Sequence, residues 1–330
     1  MAADTSSSQP RKADPFFQTR GVVITPKDLT IADWPERAVA AGLTTIALHP
    51  TPTVAKDFIL SDEGQAFLQK CQDLDLDVEY ELHAMAELLP RDLFETTPGL
   101  FRMNGKGERA ADCNLCVHSE EALDIVGRNA VDIAKVLRPT TGRYFYWGDD
   151  GKPWCRCPKC RGLSDSDQAL LLANRLLDAL RAVDPKAQIA HLAYANTLDP
   201  PAHVAPQPGI FLEFAPIRRR YDAPLAAADV PENRHNLERL DAHLALFPRN
   251  TAQALEYWLD CSRFSKWKKP AVKIPWLREV FAADLDTYGG RGVCHVTTFA
   301  VYIDAEYIER HGEPPLEEYG ALLRTWPAKR

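Results

Sequence analysis

The stretch GVVITPKDLTIADWPERAVAAGLTTIALH, residues 21–49, decides the fold class. It opens with the β-branched run GVVIT (21–25), continues with the helical apolar spacing of DWPERAVAAG (33–42) and ends with the run TTIALH (44–49). A strand, a helix and a second strand in this order predict parallel strands joined by a right-handed crossover. No glycine-rich phosphate loop follows the first run, so a doubly wound nucleotide-binding sheet is disfavoured.

The same order repeats along the chain and gives eight strand candidates. These are residues 21–25, 44–49, 77–85, 142–149, 188–195, 209–216, 252–259 and 292–303. Helical apolar spacing lies between most of them, although only the weak signal PPAHVA follows the fifth. Eight such units in a chain of 330 residues predict an α/β protein with a single (β/α)8 TIM barrel over residues 17–330. The polar residues 1–16 are predicted to form a disordered N-terminal tail.

Composition excludes several classes of protein. A hydrophobic content of 45% is enough for a large core, and the net charge of −7 disfavours a nucleic-acid or anionic-membrane surface. No run of 18 apolar residues is present, which predicts no membrane span. MAADTSSSQPRK has no apolar core of the signal-peptide type, so we expect a cytoplasmic protein, or an exported one whose leader has been removed.

The ends of the predicted strands carry the candidate site residues, because barrel enzymes build their active sites from the loops that follow the strands. In chain order the candidates for substrate binding are His49, Glu81, His83, Tyr194, Asn196, Glu213, Tyr257, Trp258 and Tyr302. Acidic and aromatic side chains dominate this set. Sugar hydroxyls bind carboxylates and apolar sugar faces stack on aromatic rings, so the set predicts a carbohydrate site.

Asp149 and Asp150 are the candidate catalytic pair. Neighbouring residues on an extended segment point to opposite sides, so one acid could orient a group while the other donates a proton. A solvated Asp-Asp-Gly turn is the structural alternative. Glu213 and Glu256 lie in apolar strands, where each either faces the barrel interior or points outward to a helix.

Cysteines form a second candidate site. Cys155, Cys157 and Cys160 supply three thiols within six residues, and Cys116 or Cys113 could add a fourth from the preceding loop. Four thiolates favour a closed structural zinc site, whereas free thiols or local disulfides are the alternatives. No cofactor is expected for catalysis.

Four segments resemble one bacterial family, the domain of unknown function 4838 that underlies glycoside hydrolase family 163. They are WGDDGKPWCRCPKC (147–160), HLAYANTLDPPAHVAPQPGIFLEFAPI (191–217), EYWLDCSRFSKWKKP (256–270) and TTFAVYIDAEYIERHGEPPLEEYG (297–320). The similarity runs from about residue 20 to the end. It implies a (β/α)8 barrel related to the β-hexosaminidases, with endo-β-N-acetylglucosaminidase activity on N-glycans.

The resemblance also implies roles for the acidic pair. In the family an Asp-Glu pair closes the fourth strand: the Glu protonates the glycosidic oxygen, and the Asp orients the substrate's 2-acetamido group, which attacks the anomeric carbon. By position Asp149 would be the orienting acid and Asp150 the proton donor. Here Asp stands where the family has Glu, and a displacement of about 1 Å can cost roughly 100-fold in rate.

Three hypotheses follow from these observations. The first is a retaining glycoside hydrolase acting on N-acetylhexosamine-containing glycans, either substrate-assisted or by double displacement between Asp150 and Glu256, which needs carboxyl groups about 5–5.5 Å apart. The second is a carbohydrate-binding barrel without catalysis, motivated by the missing Glu. The third is a metal-dependent enzyme that uses the cysteines or the group His49, His83 and Glu81.

Overall fold

Eight parallel strands close into one barrel in the computed structural model, which describes residues 15–31 and 33–327. The strands are β1 (Thr19–Ile24), β2 (Thr45–Leu48), β3 (Asp77–His83), β4 (Arg143–Trp147), β5 (Gln188–Ala193), β6 (Ile210–Phe214), β7 (Gln253–Glu256) and β8 (His295–Phe299). Each strand pairs with its neighbours in chain order, and β8 closes the barrel on β1 with Thr297 opposite Gly21. The (β/α)8 prediction is confirmed.

Helices surround the barrel. They are α1 (Trp34–Ala41), α2 (Pro52–Leu60), α3 (Asp62–Asp73), α4 (Met85–Leu88), α5 (Glu120–Val136), α6 (Asp165–Arg181), α7 (Pro231–Leu244), α8 (Cys261–Phe264), α9 (Arg278–Gly289), α10 (Ala305–His311) and α11 (Leu316–Thr325). Several begin at a capping hydroxyl: Ser61, Ser119 and Ser164 each accept a hydrogen bond from a backbone N–H of the first turn. None of the helices in the described part of the chain is long and apolar enough to cross a membrane.

The connections β5–β6 and β3–β4 depart most from the regular alternation. Between β5 and β6, where all residues are described, a 3-10 turn over Ala195–Thr197 takes the place of a helix, and the segment PPAHVA with its weak helical signal forms no helix. Between β3 and α5 the chain makes the short helix α4 and two 3-10 turns, Arg91–Glu95 and Pro98–Leu100. This long loop brings Cys113 and Cys116 to the carboxyl end of the barrel.

The predicted N-terminal tail, residues 1–16, lies mostly outside the described residues. Its last two residues are described, and the ring of Phe16 packs 4.6 Å from the ring of Trp326. The packed domain therefore begins at least one residue before the predicted boundary.

Side chains alternate between the barrel interior and the outer helices, because successive residues of a strand point to opposite faces. The interior holds an apolar layer that includes Val23, Ala47, Phe145, Phe211 and Leu255. A much larger apolar core lies between the strands and the helices. This alternation determines which strand residues can reach the active end of the barrel.

Candidate functional site

A cavity of about 280 Å³ opens at the carboxyl end of the strands. Every strand or the loop that follows it contributes to its wall. The aromatic lining residues are Trp147, Tyr194, Tyr257, Trp267, Phe299 and Tyr302. The aliphatic ones are Leu192, Ala215, Ile217, Leu255 and Val301. The volume is at the small end of the range for ligand pockets, roughly 300–1,000 Å³.

Polar side chains converge on the same cavity. They are Thr25, His49, His83, Asp150, Asp260 and Ser262. Among the described residues, the acids that line the cavity are Asp150 and Asp260, and they come from loops after different strands. Aromatic walls with a few placed polar groups are typical of a site for a small amphipathic ligand.

Asp150 lies at the edge of the cavity, with 64% of its side chain exposed. Its Oδ1 is 3.9 Å from Nε2 of His83. Burial raises the pKa of Tyr194, and the nearby charge of Asp150 raises it further, so the phenol stays protonated beside the carboxylate. Asp150 is therefore held toward the cavity while still accessible to a ligand.

Two histidines line the cavity in defined tautomers. Nδ1 of His49 donates to the carbonyl oxygen of Glu81 at 2.7 Å, and Nδ1 of His83 donates to the carbonyl oxygen of Gly148 at 2.7 Å. Burial lowers the pKa of His49 to about 4 and also lowers that of His83. Because both rings are neutral near pH 7 and carry the proton on Nδ1, each Nε2 can accept a hydrogen bond from a substrate hydroxyl.

Asp149 does not line this cavity. Its Oδ2 accepts hydrogen bonds from the Arg91 guanidinium and the backbone N–H of Asn114, both at 2.6 Å. Its own N–H donates to Oδ1 of Asn114 at 2.9 Å. Asp149 is thus paired with a cation, and it joins the end of β4 to the long loop before α5.

Glu81 and Glu213 lie inside the barrel beneath the cavity, and neither belongs to its lining. The indole N–H of Trp147, which does line the cavity, donates to Oε2 of Glu213 at 2.9 Å. Burial raises the pKa of both carboxyls well above the usual range, and their mutual repulsion adds to the shift of Glu81. These two residues support the site from below rather than contact its ligand.

Glu256 and Trp258 face away from the cavity, contrary to the sequence-based expectation. Inward positions on this segment belong to Leu255 and Tyr257, so the residues next to them point to the outer helices. Glu256 is fully buried and hydrogen-bonded to Arg219, and Trp258 donates its N–H to Asp284 of α9 at 2.9 Å. This placement does not support a nucleophilic role for Glu256, and it removes Trp258 from the ligand wall.

The other predicted residues divide in the same way. Tyr257 lines the cavity with its ring stacked on Phe299 at 5.1 Å, and Tyr302 lines it from the loop that follows β8. Asn196 is outside the cavity: its side-chain N–H group donates to the carbonyl of Lys152 and to Asp165. Asn196 therefore fastens the loop that carries Asp150.

Asp260 and Trp267 are among the lining residues that the sequence analysis missed. Asp260 follows β7 directly and begins α8, and a cap of this kind resembles many structural Asp residues. Trp267 is 64% exposed at the cavity wall and has a φ of 56°. An aromatic residue within the basic segment SKWKKP was the available signal, because an aromatic ring offers a flat apolar face on which a sugar can stack.

Four cysteines form a compact cluster beside the cavity loops. The Sγ atoms of Cys116, Cys155, Cys157 and Cys160 all lie within 4.8 Å of one another, and all four residues are buried and free of disulfides. Sγ of Cys116 is 3.8 Å from Sγ of both Cys157 and Cys160. A tetrahedral zinc with Zn–S bonds of about 2.3 Å would place its sulfurs roughly 3.8 Å apart. The residues therefore fit a Zn²⁺ site.

Neighbouring donors suit thiolate ligands. Met103 N–H lies 3.3 Å from Sγ of Cys155, and the Arg109 guanidinium lies 3.7 Å from the same atom. Cys113, the other candidate for the fourth ligand, lies apart, with its Sγ 3.0 Å from Nε of Arg102. Among the described residues, the cluster is the one group of at least three His, Cys, Asp or Glu side chains close enough to share a metal ion.

One family model matches the chain, and several solved structures have a similar fold. Residues 58–247 match the family described as Domain of unknown function (DUF4838). No curated protein matches the sequence. Similar solved structures include Gan42B, a GH42 β-galactosidase from G. stearothermophilus, at 11% identity and a TM-score of 0.55. That match covers 94% of this chain and 57% of the other.

Two further structures match over nearly their whole length. The chitinase RmChi1 from Rhizomucor miehei has 13% identity and a TM-score of 0.52, with 92% of this chain and 99% of the other covered. ZgEngAGH5_4, solved in complex with a cellotriose, has 12% identity and a TM-score of 0.52, with 95% and 98% covered. At such identities the likeness shows the barrel fold alone.

Proposed function

Because the chain belongs to the family Domain of unknown function (DUF4838) and folds as a (β/α)8 barrel, we propose that it is a glycoside hydrolase acting on N-acetylhexosamine-containing glycans. One observation carries the proposal. An aromatic-walled cavity lies at the carboxyl end of the strands, with Asp150 at its edge between His83 and Tyr194. The names of the similar structures, a β-galactosidase and a chitinase among them, agree with a glycosidase but do not specify the sugar.

The cavity suits a single sugar ring in both size and chemistry. Trp147, Tyr257 and Phe299 offer flat apolar surfaces for the ring face and for an acetamido methyl group. His49 and His83 present unprotonated Nε2 atoms to hydroxyl groups. Trp267 extends the aromatic wall to the exposed rim, where the next sugar of a glycan would stack.

Asp150 is the proposed proton donor. Its carboxyl group delivers a proton to the glycosidic oxygen as the bond to the anomeric carbon breaks. The 2-acetamido oxygen of the substrate attacks the anomeric carbon from the opposite side. Water then opens this intermediate with Asp150 as the base, so that the anomeric configuration is retained.

The thiol cluster serves as a clamp in this proposal. Cys116, Cys155, Cys157 and Cys160 would hold a Zn²⁺ with four protein ligands, which leaves no open position for water and gives the ion a structural role. The ion would join the two loops that Asn114 already connects to Asp149. Asp150 is the next residue, so the clamp fixes the position of the proposed acid.

Incubation of a mixed glycan pool tests the proposal. The pool contains N-glycopeptides and chitooligosaccharides, and the purified protein and its Asp150→Asn variant act on it in parallel, with products read by mass spectrometry. We expect products from the wild type and at least 100-fold less from the variant, since general acid catalysis contributes about 10²–10⁴-fold. Equal melting temperatures of the two proteins exclude unfolding as the cause.

A carbohydrate-binding barrel without catalysis is the second candidate. It is favoured by the short side chain of Asp150, which stands where a longer Glu occurs in the family it resembles. Under this alternative neither protein yields products, and both bind the same glycan with equal affinity in titration calorimetry. That pair of results would replace the hydrolase proposal.

A further inference from the structure

We propose that Asp260 is the second catalytic carboxylate of the site, and that it accepts the hydrogen bond from the N–H of the substrate's 2-acetamido group. The inference rests on the proposed glycosidase function and adds a residue to it. It also moves the orienting role from Asp149, where the family resemblance puts it, to the loop after β7.

Asp260 is in the right place for this role. It follows β7 and begins α8, whereas Asp150 follows β4, so the two acids reach the cavity from different parts of the barrel rim. Asp260 is only 4% exposed, and it reaches solvent where it borders the cavity. A ligand that fills the cavity would thus meet one acid at the rim and one in the wall.

The geometry of Asp260 leaves one oxygen available. Oδ1 accepts from Oγ of Ser262 at 2.6 Å and from the backbone N–H of Arg263 at 3.1 Å. No described side chain donates to Oδ2. Arg263 in turn donates to the carbonyl of Ile217 in the cavity wall at 3.1 Å, which fastens the turn to the next loop. A carboxylate held by one oxygen is preorganised to receive a donor on the other.

The other candidate carboxylates are engaged elsewhere. Asp149 is paired with Arg91 and does not line the cavity, and Glu256 is buried between β7 and α9 against Arg219. Glu81 and Glu213 lie below the floor that Trp147 forms. Asp260 is therefore the acid that a 2-acetamido group could contact while Asp150 faces the leaving oxygen.

The reaction balances with these two acids. The acetamido oxygen bonds to the anomeric carbon as the glycosidic bond breaks, the leaving oxygen takes the proton of Asp150, and the acetamido N–H proton passes to Asp260. The product of this step is a neutral oxazoline. Water then adds to the anomeric carbon and gives a proton to Asp150, and Asp260 returns its proton to the nitrogen. No further reactant is required.

The Asp260→Asn variant tests the assignment without removing the helix cap, because Asn caps helices as well as Asp does. Two probes are used: an aryl 2-acetamido-2-deoxyglucoside and the preformed oxazoline of N-acetylglucosamine. We expect the variant to lose about 10²–10³-fold in kcat on the glycoside. Hydration of the oxazoline bypasses the step in which Asp260 accepts the N–H proton, and solvent can return a proton to the ring nitrogen in place of Asp260, so its rate should stay within about 10-fold of wild type.

Asp184→Asn is the matched control. Asp184 is a buried Asp that also accepts from a hydroxyl and a backbone N–H, those of Tyr144 and Lys186, but it lies in the loop before β5 at the opposite end of the barrel. Its variant should keep wild-type rates on both probes once folded. The melting temperature of each variant is measured in the same buffer.

Three results would overturn the inference. Wild-type kcat of Asp260→Asn on the glycoside would remove the catalytic role and leave the proposed function intact. Equal losses on both probes together with a lower melting temperature would make Asp260 structural. If the wild type acts on neither probe and yields no product from the glycan pool, the proposed function fails, and the role of Asp260 fails with it.

Discussion

Replacement of Glu256 by Gln should lower stability and leave catalysis almost unchanged. Glu256 is fully buried and accepts from the hydroxyls of Tyr288 at 2.5 Å and Tyr221 at 2.7 Å, and from Nε of Arg219 at 3.2 Å. Arg219 is equally buried and also pairs with Asp284. Burial raises the pKa of Glu256, and Arg219 opposes that shift.

The size of the expected stability loss follows from the hydrogen bonds that the Gln side chain can still make. Charge-assisted hydrogen bonds contribute about 1.5–3 kcal/mol each, and loss of one partner of a buried ion pair costs about 3–5 kcal/mol. Asp284 continues to compensate Arg219, and the amide oxygen can accept from one tyrosine. We therefore expect Glu256→Gln to lower the free energy of unfolding by about 3 kcal/mol.

Urea denaturation and steady-state kinetics give the two readouts. Glu238→Gln, on the exposed face of α7, is the control and should change the free energy of unfolding by less than about 0.5 kcal/mol. For Glu256→Gln we expect kcat within about threefold of wild type at a temperature where the variant is folded. A fall in kcat beyond about 100-fold with unchanged stability would refute the placement of Glu256 outside the cavity and restore double displacement.

Three other variants probe the rim, the clamp and a buried histidine. Trp267→Ala should raise KM for a glycan of two or more sugars roughly 2- to 12-fold, because an aromatic contact contributes about 0.5–1.5 kcal/mol. The variant should have little effect on kcat. An unchanged KM would count against stacking at the rim. Cys157→Ser should lower zinc content, measured by mass spectrometry of the metal, and the melting temperature, whereas Cys113→Ser, which alters a thiol outside the cluster, should keep one zinc per chain. His191→Phe should flatten the loss of stability below pH 6.5. Burial lowers the pKa of His191 to about 3, whereas a histidine of the unfolded chain has a pKa of about 6.5. At pH 5 the unfolded chain therefore binds a proton that the folded chain does not, which lowers the free energy of unfolding by about 2 kcal/mol. A variant as acid-sensitive as wild type in urea titrations would show that another group controls this loss.

The barrel could be predicted from sequence because its signal is repeated eight times. Local errors in single elements, such as the tail boundary at Phe16, do not change the order of strands and helices. The strand-end rule likewise located the cavity, since His83 ends β3, Asp150 and Tyr194 closely follow β4 and β5, and all three line it.

Which residues of each strand face the barrel interior could not be predicted. In AQALEYWL every residue is apolar or aromatic except Gln253 and Glu256, so the pattern does not say which face turns inward, and a shift of one residue exchanges the two faces. Tyr257 therefore lines the cavity, whereas Glu256 and Trp258 do not. Asp260 was missed for a related reason: a capping Asp beside a cavity has the same local sequence as one on a surface.

Leaving-group kinetics of an Asp150→Ala variant test the central claim most directly. The rates are measured on aryl N-acetylglucosaminides whose phenols differ in acidity. If Asp150 donates the proton, the variant should lose about 10²–10⁴-fold on a poorly acidic phenol and little on a dinitrophenol, which leaves without help. A variant as fast as the wild type on both substrates would contradict the account, because the acid at the cavity edge would then have no part in the chemistry.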